Sequence, residues 1–128
     1  MVRDNKMHIL LSAIAAAFLL LAISAFSADA HAYLVEAAPG VGSVTTKAPS
    51  DVALTFSENI ESAFSLLEVQ DETGRRVDKD DKHVDSTNPH ILRVSLKSLA
   101  TGRYHVIWRV VSVDAHITTG DFIFQVSP

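Results

Sequence analysis

After residue 31 the chain is written in short stretches with a period of two. Val52, Leu54 and Phe56 alternate with Ala53, Thr55 and Ser57. Successive side chains of an extended strand point to opposite faces, so this spacing predicts a strand with one buried face. Leu67 and Val69 lead into Gln70-Asp71, and Glu72-Thr73-Gly74 supplies a turn. Leu92, Val94 and Leu96 alternate with Arg93, Ser95 and Lys97. Tyr104, Val106, Trp108 and Val110 share one face of the next run, and His105, Ile107, Arg109 and Val111 the other. Phe122, Phe124 and Val126, opposite Ile123 and Gln125, form the last strand. No amphipathic helix is visible after residue 31, and residues 98–102 read as a turn. Strands at this spacing predict an all-β, immunoglobulin-like β-sandwich of about seven strands, with Trp108 between the sheets.

The N-terminus follows a different pattern. From Ile9 to Phe26 nearly every residue is Ile, Leu, Ala or Phe, broken only by Ser12 and Ser24. Arg3 and Lys6 precede the run, and Ala28-Asp29-Ala30 follows it. A charged start, an apolar core and a small-x-small triplet predict a helical secretory signal peptide over residues 1–30, cleaved between Ala30 and His31. The alternative is an uncleaved anchor, for which the run is just long enough. The single domain is then 31–128, exported and soluble. The charged stretch from Asp71 to Asp85 reads as a solvated hairpin and loop.

Composition narrows the chemistry. The formal net charge of −4 is unchanged by removal of the leader, because Arg3 and Lys6 offset Asp4 and Asp29. A mildly acidic domain with no basic stripe argues against a nucleic-acid partner. There is no cysteine, so disulfides, thiolate metal sites and cysteine catalysis are excluded. The two methionines, Met1 and Met7, both leave with the leader.

Three features carry candidate chemistry. Cleavage would make His31 the first residue, and a free α-amine with a pKa of roughly 7.7–8.0 loses its proton easily. Amine nitrogen and Nδ1 of one residue then close a six-membered chelate ring on a metal. Asp114 and His116 are two residues apart, so extended backbone would project them to one side. They could be half of a metal site, an acid–base pair, or a histidine tied to its neighbour. Glu58 closes the Leu54–Ser57 alternation with a carboxylate. Together these supply nitrogen and oxygen donors. Tetragonal N,O ligation suits Cu(II), although zinc could use the same set; Cu(I) prefers sulfur, which the mature chain lacks. His83 and His90 flank the Asp85–Pro89 turn and are candidates for a weak second site, while His105 reads as a surface strand residue.

These residues resemble the CopC-like periplasmic copper-binding proteins over nearly all of residues 31–128. His31-Ala32-Tyr33-Leu34 with Ala38-Pro39-Gly40 is similar to that family's mature start, and Leu54-Thr55-Phe56-Ser57-Glu58 to its Phe-Ser-Glu signature. The stretch from Gly102 to His116, ending Ser112-Val113-Asp114-Ala115-His116, and the closing run from Gly120 to Val126 also match. The resemblance implies a Greek-key sandwich that binds one Cu(II) per chain through the amine and ring of His31, the ring of His116 and the Asp114 carboxylate. Glu58 matches the position of a further, weaker or axial carboxylate. Ala115 stands where glycine is frequent, and Ile117 where proline is. The Met-rich loop of members with a separate Cu(I) site is missing, so a Cu(II)-only protein is expected. The expected role is copper sequestration, carriage or resistance by a periplasmic monomer. A separate inner-membrane copper transporter is the implied partner. Two rivals remain: a copper-dependent oxidative enzyme of the histidine-brace type, and a metal-free binding module.

Overall fold

The computed structural model describes residues 32–128; the expected leader and His31 lie outside the described residues. Eight strands follow in order: β1 (Leu34–Ala38), β2 (Val44–Thr45), β3 (Asp51–Phe56), β4 (Leu66–Gln70), β5 (His83–Val84), β6 (Ile91–Ser95), β7 (Gly102–Val111) and β8 (Ile117–Val126). One 3-10 turn, Ser62–Phe64, is the only helical element among the described residues. The strands form two four-stranded sheets, ordered β1-β3-β6-β5 and β2-β8-β7-β4. The all-β sandwich is therefore as expected. Its eighth strand is within the looseness of the expectation, since β2 and β5 have two residues each.

The period of two explains the core. Val52, Leu54 and Phe56 from β3 are buried, as are Leu92 and Val94 from β6; they face Leu67, Val69, Val106, Val110 and Phe124 of the second sheet. Each such side chain contributes roughly 1.5–3 kcal/mol when it leaves water. Trp108 is buried between the sheets and meets Phe56 edge-on, with ring centroids 5.1 Å apart. Its cross-strand partner is Gly120. A Cβ on Gly120 would sit 2.6 Å from Trp108 Cε2, and closer still to Cζ2, so the indole occupies the room a side chain would need.

Two expectations need correction. The last strand begins at Ile117 and not at Phe122. Its early inward positions are Thr118 and Gly120, which carry no apolar signal because Trp108 fills the space opposite. The stretch from Asp71 to Asp85 is not solvated throughout. Asp78 is buried and accepts hydrogen bonds from Val69 N–H (2.9 Å), Asp80 N–H (3.0 Å) and the Arg76 guanidinium. Burial pushes its carboxyl up, but Arg76 and the backbone donors outweigh that and hold it below the ordinary range. The pairing fastens residues 76–78 along the outer edge of β4, which would otherwise offer unpaired backbone groups.

Candidate metal centre

β7 and β8 are joined by the five residues Ser112 to His116, at one end of the sandwich. The turn closes through Ser112 N–H to His116 C=O (3.0 Å) and Ala115 N–H to Ser112 C=O (2.9 Å). Ala115 sits at φ +67°, in the left-handed region that favours glycine. Asp114 and His116 are thus brought together by a chain reversal and not, as expected, by extended backbone. The reversal needs one left-handed residue, and Ala115 supplies it.

Within the turn, His116 Nδ1 lies 3.0 Å from Asp114 Oδ2. Ser112, almost completely buried, donates its hydroxyl to Asp114 Oδ1. The Ser112 hydroxyl is the largest influence and, together with the His116 ring, holds the Asp114 carboxyl below its ordinary value of 3.8 in spite of desolvation. An ionised carboxylate only accepts, so the proton at this contact belongs to Nδ1 and the imidazole lone pair to Nε2. A carboxylate that orients a histidine and raises its basicity is the usual outer support of a metal-binding imidazole. Asp114 has lone pairs left over, so it can also donate to a metal directly.

The segment after Glu58 runs alongside this turn. Val113 N–H donates to Asn59 C=O (3.0 Å), Glu61 N–H to Val111 C=O (2.9 Å), and Ile60 bridges to Ser112. Glu58, half-buried, therefore lies at the same end. Among the described residues, however, no group of three or more His, Asp or Glu side chains converges on one point. Asp114 and His116 are brought together; Glu58 does not join them in such a cluster.

The start of the described chain arrives at the same place. Tyr33 exchanges two hydrogen bonds with Ser57, N–H to Oγ and C=O from N–H, each 3.0 Å. Ala32 is fully buried, and its carbonyl accepts from Thr118 Oγ1 at 2.7 Å. Ser57 precedes Glu58, and Thr118 stands two residues after His116. Ala32, the residue bonded to His31, is thereby fixed between the Glu58 and His116 segments.

The other histidines among the described residues have local partners. His105 Nε2 lies 2.6 Å from Asp121 Oδ2 across the outer face of β7 and β8, as a surface strand residue would. His83 Nδ1 contacts Asp81 C=O (2.9 Å) and His90 Nδ1 contacts Phe56 C=O (3.1 Å). Sequence reasoning missed Ser112, Ser57 and Thr118. The first two lie inside motifs it had already singled out, but a hydroxyl's partner cannot be read from spacing. Among the described residues no helix is long and apolar enough to cross a membrane.

Comparison with known proteins points one way. Residues 34–127 match the family model described as the CopC domain. The chain is 37% identical over 98 residues to the copper transport protein CutJ of Bacillus subtilis, covering 76% of this chain but only 18% of that protein. The crystal structure of CopC from Methylosinus trichosporium OB3b superposes with a TM-score of 0.71 at 34% identity, covering 77% of this chain and 95% of that one. PcoC, a methionine-rich copper resistance protein from Escherichia coli, gives a TM-score of 0.67 at 28% identity, covering 77% and 100%.

Proposed function

We propose, from the premise that this chain belongs to the CopC family of copper-binding proteins, that it takes up one Cu(II) outside the cytoplasm as cargo. The ion is held by the amine and ring of His31, the ring of His116 and the Asp114 carboxylate, with Glu58 as a further carboxylate at the same end. The observation that carries this reading is the convergence of Ala32 on the β7–β8 turn. Ala32, next to the proposed amino-terminal ligand, and the Asp114–His116 pair lie at one end of a rigid sandwich.

The donor set supports Cu(II). Nitrogen and carboxylate oxygen suit a tetragonal ion, and cuprous ion would want sulfur. PcoC is methionine-rich by name, whereas this chain has methionine only at positions 1 and 7. Ligands on ordered strand ends lose little freedom on binding. The carboxylates also favour carriage over oxygen chemistry, because they occupy room beside the ion that an oxidant would need. Turnover of a polysaccharide in the presence of a reductant would reverse that preference.

In this reading the leader directs export to the periplasm, and cleavage after Ala30 creates the amine ligand. The ion is then sequestered, or handed on by a monomeric carrier to an inner-membrane copper transporter. The CutJ match, confined to 18% of that protein, is consistent with a domain of this kind serving a larger transport protein. The test is intact mass spectrometry of the exported protein with and without Cu(II). The expected species begins at His31 and gains one copper. Retention of Ala30, or no copper uptake, overturns the proposal.

A further inference from the structure

The chain's first described residues are held by hydroxyl groups from both sheets. The pairing of β1 with β3 continues past Leu34 and Phe56 into the reciprocal bonds between Tyr33 and Ser57. These belong to the first sheet. The carbonyl of Ala32 is held from the second sheet, by Thr118 Oγ1 at 2.7 Å. Thr118 lies on the inward-facing row of β8 that continues through Gly120, Phe122, Phe124 and Val126, so its hydroxyl points across the seam and not to solvent. The methyl of Ala32 is fully buried in the core beneath this bond. A residue whose side chain is packed and whose carbonyl is held has little freedom left.

The geometry points to Thr118 as a positioning residue for the metal centre. Its hydroxyl holds the carbonyl of Ala32, the residue next to the proposed amino-terminal chelate, near the start of β8, two residues after His116 in the chain. This rests on the Cu(II) reading above. The bond ties together the two chain segments that the ion must bridge. Consecutive Cα atoms are about 3.8 Å apart, so a ligand on the residue before Ala32 is one step along the chain from this anchor. With the bond in place the nitrogen donors meet the ion already gathered. Without it, the ion must itself immobilise the terminus. Ser57 supports the same segment from the other side, through the Tyr33 N–H.

The experiment compares the exported protein with its Thr118→Val and Thr118→Ser variants. Valine keeps the shape and removes the donor; serine keeps the donor. Cu(II) affinity is measured by competition with a chelator, and the number of coupled nitrogens by electron paramagnetic resonance. The expected result is an affinity about tenfold lower for Thr118→Val, in the range seen when outer supports of metal ligands are lost. Its nitrogen couplings should be altered or heterogeneous, and Thr118→Ser should restore both. A purely structural role would lower the melting temperature of the metal-free protein and leave the spectrum of the copper-loaded protein unchanged. Wild-type affinity and couplings in Thr118→Val overturn the inference while leaving the Cu(II) reading intact. Absence of Cu(II) binding by the unaltered protein overturns both. Should Thr118→Val not fold, Ser57→Ala tests the other half of the latch. Lowered affinity with altered couplings supports the inference there, and unchanged values count against it.

Discussion

Asp114 is the residue on which the candidate centre turns. Both of its oxygens are engaged inside one short turn, by Ser112 and His116. Asp114→Asn keeps the shape and removes the charge. Cu(II) affinity should fall by about ten- to a hundredfold. The metal-free fold should be little affected, because the side chain is well exposed. Calorimetric titration of Cu(II) checks this. The pH dependence follows from the same group. Its carboxyl is held below 3.8, first by Ser112 and then by His116. A depressed carboxyl contributes above its unfolded value and loses that contribution only as pH falls through the folded one. Asp114 therefore keeps its charge in mild acid, and because metal ligands must be deprotonated, Cu(II) at the proposed centre should bind more weakly as the pH falls. Apparent Cu(II) affinity, measured by competition with a chelator at a series of pH values, checks this. An affinity that does not fall as the pH is lowered would count against the proposed nitrogen ligands.

At the scale of elements, two positions in the β7–β8 hairpin do opposite things. Gly120 lies against the indole of Trp108, so Gly120→Ala displaces the ring in a packed core and should cost about 1–3 kcal/mol, read as a lower melting temperature. Ala115 sits at φ +67°, where a Cβ is strained and glycine is not. Ala115→Gly should therefore stabilise the protein by up to about 1 kcal/mol, contrary to the usual effect of introducing glycine. Denaturant unfolding of the two variants side by side checks both signs. The hairpin also shows where the sequence pattern stops being legible. From Phe122 onward β8 alternates as a half-buried strand should, and the pattern marks it. From Ile117 to Asp121 the inward residues are Thr118 and Gly120, apolar in neither case, and the strand could not be seen. The large Trp108 ring on the neighbouring strand fills the volume that an apolar side chain at 120 would have announced. In the same way β2 escaped notice, since its two residues are defined by parallel pairing with Gln125 and Val126 and not by any local repeat.

For the molecule as a whole, a ligand that binds only the folded state must stabilise it by mass action. At a free Cu(II) concentration a hundred times the dissociation constant, the gain is about 2.7 kcal/mol, visible as a raised melting temperature. Removal of the metal with a chelator should reverse the shift. Because Trp108 is the only tryptophan, its emission should also report the titration, with an end point at one copper per chain. The sequence alone determined the period-two strands, hence the fold class, and the donor types at His31, Glu58, Asp114 and His116. Both follow from local chemistry: alternation is set by the geometry of extended backbone, and a donor atom belongs to its residue wherever that residue goes. Only the tertiary structure decided which donors meet. Asp114 and His116 converge through a left-handed reversal at Ala115, and Ala32 is drawn to them by Thr118 from the opposite sheet. Such contacts join residues as far apart as 32 and 118, and nothing in the order of residues between them encodes a distance in space.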